Sequence, residues 1–420
     1  MANGFNKEEV VAFDQMLEGF QDALVLSRNV SKYNTDQQGM ERSGDTIWRP
    51  QPYIMPSFSG QDQSSNFSDK EQLSVPSSIN IERSVPWEMT ATELRDALQE
   101  KRLGESAKQK LASDINVNLM NVAATYGSLV VPVATAATGF DDVALVEAIM
   151  NEQGVMSDSR YLALSTRDYN GMASNLADRS TMGQKVTSAY ERAYVGRLAS
   201  FETYKLDYAN RIAAAAGGAA LTISTLDAAN NYNPAATSVG TTGRNNVDNR
   251  FQTVTVSATT SVAAGDCFTI AALNAVHQIT KQDTGQLKTF RVVTVDSGTT
   301  MTITPPIISN QVVTGPATQY QNCVINTKAA NSAIVFLNKV AASINPFWHK
   351  DAIEIIPGKY AVPTDAGMSV MRGSTDQGIE IMMSKQAGIN NLKTKYRVDV
   401  RFGVVNKAPE MSGILLFGQA

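Results

Sequence analysis

Residues 90–127 read TATELRDALQEKRLGESAKQKLASDINVNLMNVAATYG. Leu94, Leu98, Ala107, Leu111, Ile115, Leu119, Val122 and Tyr126 recur mostly at steps of four, which places them on one face of an α-helix. Thr90 followed three residues later by Glu93 has the form of a capping box, and Gly127 is a natural stop. Lys101, Arg102, Glu105, Lys108, Lys110 and Asp114 fall largely off the stripe, as a solvated or interfacial face requires. The spacing predicts one helix of roughly 50 Å, with Leu111, Ile115 and Leu119 as its buried core. Gly104 bends or weakens it, by about 1 kcal/mol.

Upstream the pattern changes. Residues 1–42 open with a shorter amphipathic run, Phe13, Leu17, Phe20 and Leu24, and Asn6 with Glu9 suits its start. Such a helix either docks on its own domain or lies as an arm on a neighbouring subunit, and the residues leave both open. In residues 43–86, Thr46-Ile47-Trp48 leads into prolines at 50, 52 and 56, Ser57 to Lys70 is polar, and Leu73 to Val85 is extended again. This reads as a long hairpin with a flexible tip. It has too few apolar residues for a core of its own and must lean on something, a partner subunit being one candidate.

Downstream, residues 128–221 mix strand patterns (Leu129 to Val131, Tyr161 to Leu164) with helices, one over Val143 to Asn151 and one carrying Val186, Tyr190 and Tyr194. Asp141-Asp142 suit the start of the first of these helices. Near 222 the composition shifts to Thr, Ser, Val and Gly. Phe251 to Val256 and Met301 to Thr304 alternate, Phe290 to Val295 does so loosely, and Asp296-Ser297-Gly298 makes a tight turn. These are strands of a small antiparallel β-domain, and its polar stretch Asn230 to Arg250 reads as a mobile loop. Helical sequence is expected to resume at Lys328 to Ile344. The strand patterns Ile353 to Ile356, Ile379 to Met383 and Arg397 to Val405 then complete an α+β domain split by the insertion.

Composition excludes several functions. Across 420 residues, 36 Lys and Arg face 40 Asp and Glu, and no basic run stands out, so tight nucleic-acid binding is not expected. Two cysteines, Cys267 and Cys323, make no disulfide framework or zinc site, and buried thiols are expected. His277 and His349 stand in no metal-binding spacing and read as structural. Gly240 to Arg244 lacks the ending of a phosphate loop. Met1 to Phe20 lacks the basic start and apolar run of a secretory leader, and no apolar tract is long enough for a membrane span. No cofactor and no metal are expected. Two other classes compete with a structural protein: a bacterial surface or adhesin-type β-domain protein, and an enzyme with an accessory β-domain. The missing leader opposes the first, and the scarcity of His and Cys the second.

Several stretches, in collinear order, carry a resemblance. They are Ser43 to Trp48, Glu93 to Asp96, Ala107 to Leu111, Val122 to Ala124 before Gly127 to Val130, NVDNRFQTVTVSATT at 246–260, Asn345 to Trp348 with Asp351 to Ile353, and Tyr396 to Asn406 with Pro409-Glu410. They resemble the coat proteins of phage P22 and its relatives. The resemblance implies an α+β HK97-type capsid fold with an inserted antiparallel β-barrel or immunoglobulin-like domain. Residues 1–42 would be an N-terminal arm, 43–86 an extended hairpin loop, and 87–127 the spine helix and peripheral domain. Residues 128–221 would be the first part of the axial domain, 222–327 the inserted domain with its mobile loop at about 230–250, and 328–420 the return to the axial and peripheral domains.

The resemblance also implies a function. The chain would be a major coat protein, not an enzyme, forming pentamers and hexamers around a scaffolding protein in the host cytoplasm. The icosahedral procapsid would then expand into the virion capsid as double-stranded DNA enters through a portal protein, without specific tight binding of that DNA and without a membrane. The loop of the inserted domain would contact a neighbouring capsomer, which makes Arg244, Asp248 and Arg250 expected assembly contacts, along with Trp48, Arg49 and Lys70 of the hairpin. Asp248 is the only carboxylate of that loop, so hydrogen bonds from Asn and Thr are expected to replace salt bridges there. Lys70 is also a candidate cross-linking donor by comparison with the wider fold class. P22-like members do not cross-link, so no cross-link is expected.

Overall fold

The computed structural model describes residues 7–23, 26–33, 46–52, 54, 55, 57, 59–64, 67, 71–90, 92, 93, 97–178, 196–206, 209–216, 221–225, 231–241, 243–311, 319–326, 330–360, 368–375, 378–388 and 390–420. Lys70, the expected helix with Val186, Tyr190 and Tyr194, and the side chains of Phe20, Leu24, Leu94 and Leu98 lie outside the described residues.

The apolar stripe forms one helix, Ala97–Tyr126, about 45 Å long. Ala107, Leu111, Ile115 and Leu119 are all buried. The Thr90 N–H and hydroxyl bond the Glu93 carboxylate at 2.7 and 3.0 Å. Thr90 is the last residue of a strand, Ile81–Thr90, and the described helix begins only at Ala97.

The chain forms two compact units. The first comprises Met1–Ile47, Pro76–Met120 and Glu354–Val405. Its sheet runs in the order Ser31–Lys32, Ile353–Pro357, Lys393–Asn406, Glu380–Gly388, Ser369–Ser374, with Ile81–Thr90 also paired to Lys393–Asn406. Tyr396, Val398, Val400 and Phe402 are buried at every second position, the period of a strand. The N-terminal helix Lys7–Ala23 docks on this same unit. Phe13 and Met16 are buried, Leu17 lies where a Cβ on Gly373 would come within 2.7 Å, and Glu9 accepts from Lys385 Nζ and from the Tyr396 hydroxyl (3.2 Å).

The second unit comprises Trp48–Val75, Asn121–Ile353 and Asn406–Ala420. Its mixed sheet has the order Leu129–Pro132, Ser412–Leu416, Asn345–His349, Arg160–Ser165, Phe201–Leu206, Arg197–Leu198. Leu162, Leu164, Phe201, Phe347 and Leu415 pack with Val143, Val146 and Met150 of the helix Phe140–Glu152, and with Met172 of the helix Thr166–Asp178. The Asp142 carboxylate caps the first of these helices, accepting from the N–H groups of Thr138 (2.7 Å) and Gly139 (3.2 Å). Asn345 binds across 180 positions, its Oδ1 accepting from Ser165 N–H at 2.7 Å.

Between those strands in sequence lies an antiparallel sheet, ordered Thr222–Thr225, Ala330–Phe336, Cys267–Val276, Asp283–Val295, Thr300–Thr304, Gln252–Thr255. An antiparallel bridge from Ile223 to Val256 joins its first and last strands and closes it into a barrel. Ile223, Val254, Phe268, Ile270, Phe290, Val292, Met301 and Ile303 fill it. The turn at Asp296 forms, Asp296 N–H donating to the Thr300 carbonyl at 3.0 Å. One expectation is corrected here. The described part of the expected helix 328–344, residues 330–344, is not helical, because Ala330–Phe336 is a strand paired on both sides. Ser332 and Ile334 point inward and Ala333 and Val335 outward, and the two partner strands override the modest helix preference of the alanines.

Candidate functional site

His277 packs against Gly154, which has φ +79° and where a Cβ would meet the imidazole at 2.8 Å. Its Nδ1 accepts from Thr280 N–H at 3.2 Å. His349 is buried, its Nδ1 accepts from Asp351 N–H at 3.2 Å, and burial lowers its pKa. Both thiols are free and buried, and burial raises Cys267 to about 11 and Cys323 to about 12. Such thiols are poor nucleophiles. Among the described residues no group of three His, Cys, Asp or Glu is placed to hold a metal, and no helix is long and apolar enough to cross a membrane.

Of the expected contact residues, Trp48, Arg49 and Arg244 lie in two narrow two-stranded elements. In the hairpin, Thr46–Pro50 pairs with Ser74–Ser78, and Trp48 and Arg49 sit half-buried in the first of these strands. Gln51 N–H donates to the Leu73 carbonyl at 2.9 Å, and beyond it the described residues are largely exposed, Phe67 at 87%. The base of the hairpin leans on the barrel side of the same unit. Leu73 packs with Ile308, Tyr320 and Tyr232, and Glu71 accepts from Ala236 N–H at 2.6 Å. The Tyr320 hydroxyl donates to the Glu71 carbonyl at 2.9 Å.

The second element is a ribbon, Thr237–Gly240 paired with Gly243–Asn246, where sequence gave only a loop. Val239 is 86% exposed and faces Arg244 across the ladder, which is exposed too. Asp248 and Arg250 lie at the ribbon's base and hold each other. Arg250 Nε and Nη2 donate to the two Asp248 oxygens at 2.9 and 2.6 Å, and Nη1 donates to the Asn406 carbonyl at 2.9 Å. A forked pair of this kind orients both side chains. Sequence reasoning missed Asn249, which is buried and fixes the ribbon base. Its Oδ1 accepts from Tyr232 (2.9 Å) and Ala235 N–H (3.1 Å), and its Nδ2 donates to the carbonyls of Ala235 and Val247, both at 3.0 Å. Nothing in its spacing marked it, since its partners are one tyrosine hydroxyl and backbone groups of a loop.

The first unit contributes an open cavity of about 620 Å³, lined among others by Trp87, Tyr360, Met368, Met382 and Asp399. Trp87 stacks on Tyr396 with centroids 5.6 Å apart. Burial raises the pKa of Asp399, opposed by Arg397 Nε at 2.5 Å. The arrangement offers exposed apolar and hydrogen-bonding surface, which suits contact with a partner.

The family model described as P22 coat protein, gene protein 5, matches residues 1–418. Among solved structures, that of Mycobacterium phage Che8 covers 93% of this chain and 90% of its own, at 9% identity and TM-score 0.45. The capsid of cyanophage P-SCSP1u covers 93% and 86%, at 11% identity and TM-score 0.43. The I-domain of the CUS-3 coat protein is 42% identical over 29% of this chain and 100% of its own, with TM-score 0.23.

Proposed function

Since this chain belongs to the P22 coat protein family, we propose that it adopts the HK97-type capsid plan and closes an icosahedral shell of pentamers and hexamers through its hairpin and its ribbon. It is a major capsid protein of tailed phages, a structural protein and not an enzyme. The observation that carries the proposal is the ribbon Thr237–Asn246, which stands out from the barrel with Val239 bare at 86%. A lone two-stranded ribbon is marginally stable in water. Covering it with a second copy buries apolar surface and shields its backbone.

Arg244 is the ribbon's cation offered to a neighbour, whereas Asp248 and Arg250 act at its base by setting its direction. In the hairpin, Trp48 and Arg49 belong to the stem. Met55 and Phe67, both exposed, suit the apolar cavity beside Trp87 on a neighbouring copy. The barrel is the inserted domain. Strands Arg160–Ser165 and Asn345–His349, on either side of it in sequence, are neighbours in one sheet, which supports that reading. A scaffolding protein and a portal protein are the partners of assembly in the host cytoplasm. A chain with 36 basic and 40 acidic residues lines a shell without gripping the DNA inside.

Val239→Asp tests the ribbon. The expected result is a folded, soluble chain that forms capsomers but few closed shells, read by electron microscopy and sedimentation. Normal closed shells from this variant would remove the ribbon from the interface.

A further inference from the structure

The long helix ends where two of its backbone groups are diverted. Gly127 N–H still donates to the Ala123 carbonyl at 3.0 Å, the last bond of the helical series. Ser128 N–H, which would continue the series to Ala124, donates instead to the Pro409 carbonyl at 3.0 Å. The Ala124 carbonyl is therefore one of the orphans of a helix C-terminus. Its donor comes from the barrel: Arg291 Nη1, 167 positions away, bonds it directly, while Nη2 donates to the Gly265 carbonyl at 3.1 Å. Arg291 is 2% exposed, and among the described residues no carboxylate forms an ion pair with it. What offsets the burial of this cation is the pair of carbonyls and the negative end of the helix dipole.

Neighbours on the same strand, Asp283–Val295, repeat the arrangement. Thr289 Oγ1 donates to the Ser128 carbonyl at 2.7 Å, and buried Lys288 pairs with Glu410, one residue past Pro409. We propose that Arg291 is a positioning residue: it caps the long helix from the barrel, so the helix end and the turn at Gly127–Ser128 are fixed only once the barrel has folded and docked. The two needs are reciprocal. Without the barrel the Ala124 carbonyl lacks its donor, and without the helix end the guanidinium is buried beside one carbonyl only. As a claim about assembly it rests on the shell-forming reading, because a coat subunit has to present its long helix in one fixed setting.

The test is amide hydrogen exchange on the full unassembled chain, so it is independent of whether shells form. In Arg291→Met, exchange of residues 123–128 should rise about tenfold or more, while Phe268–Ile270 and Val292 in the barrel and Leu162–Leu164 in the mixed sheet keep their protection. Arg291→Lys, which keeps the charge and a donor, should show a smaller rise confined to the same segment. It decides the matter if the Met variant does not fold. An unchanged 123–128 segment, or a rise spread equally over barrel, sheet and helix end, would overturn the proposal.

Discussion

Lys281 shows how single residues set the pH response. Burial lowers its ammonium to about 8, against the opposing pull of Glu410, while its Nζ donates to the Gln321 carbonyl at 2.9 Å. An unfolded lysine titrates near ~10.4. Between about 8 and 10 the unfolded chain therefore binds more protons than the folded one, and this group's contribution to stability rises with pH. The two thiols act in the opposite sense. Cys267, raised to about 11, and Cys323, raised to about 12, keep protons that the unfolded chain releases above ~9, so their contribution falls as pH rises. A comparison of the wild type with Lys281→Met isolates the lysine. Urea midpoints should favour the Met variant at pH 7.5, and the difference should shrink by roughly 1–3 kcal/mol by pH 10. A difference independent of pH would show that Lys281 is not desolvated. At this scale the sequence was only partly legible. Buried cysteines and structural histidines follow from their apolar surroundings and absent partners. The mutual grip of Asp248 and Arg250 does not, because two charges two positions apart read as solvated loop residues until a turn folds the arginine back.

Elements were read best where one period dominated. Leu111, Ile115 and Leu119, at steps of four, gave the long helix, and Gln252–Thr255 and Thr300–Thr304, at steps of two, gave two barrel strands. Leu111→Asp puts a carboxylate into that buried stripe. It should cost at least about 4 kcal/mol and abolish soluble folded chain, read by circular dichroism and yield. A soluble, cooperatively folding variant would show that the stripe is not buried in the assembly-competent subunit. The expected helix 328–344 failed because its alanines, serines and valines satisfy either period, and the strands that flank Ala330–Phe336, Thr222–Thr225 and Cys267–Val276, lie far away in sequence. Ser369–Ser374 gave no strand signal either, since its Met371-Arg372-Gly373 core is neither alternating nor β-branched. Its pairing with Glu380–Gly388 makes it a strand. The ribbon was legible only as a loop, because Thr, Asn and Gly carry little strand signal without a ladder partner.

At the scale of the whole molecule, what the chain does is written in order and not in any site. A hairpin, a long helix, a mixed sheet interrupted in sequence by a barrel and a returning sheet follow one another along the chain, and the family match spans residues 1–418. The contacts that join distant parts of the chain were less legible. Glu71 to Ala236 and Arg291 to Ala124 connect residues far apart in the chain, and no spacing rule finds such pairs. In the proposed function, copies of this chain build a closed shell. The most direct test is electron microscopy with sedimentation velocity on the full chain, co-expressed with the scaffolding protein from its own phage. Closed, hollow particles of uniform size, made mainly of this chain, are the predicted result. A monomer or dimer that persists under all conditions, with no shells, would contradict it.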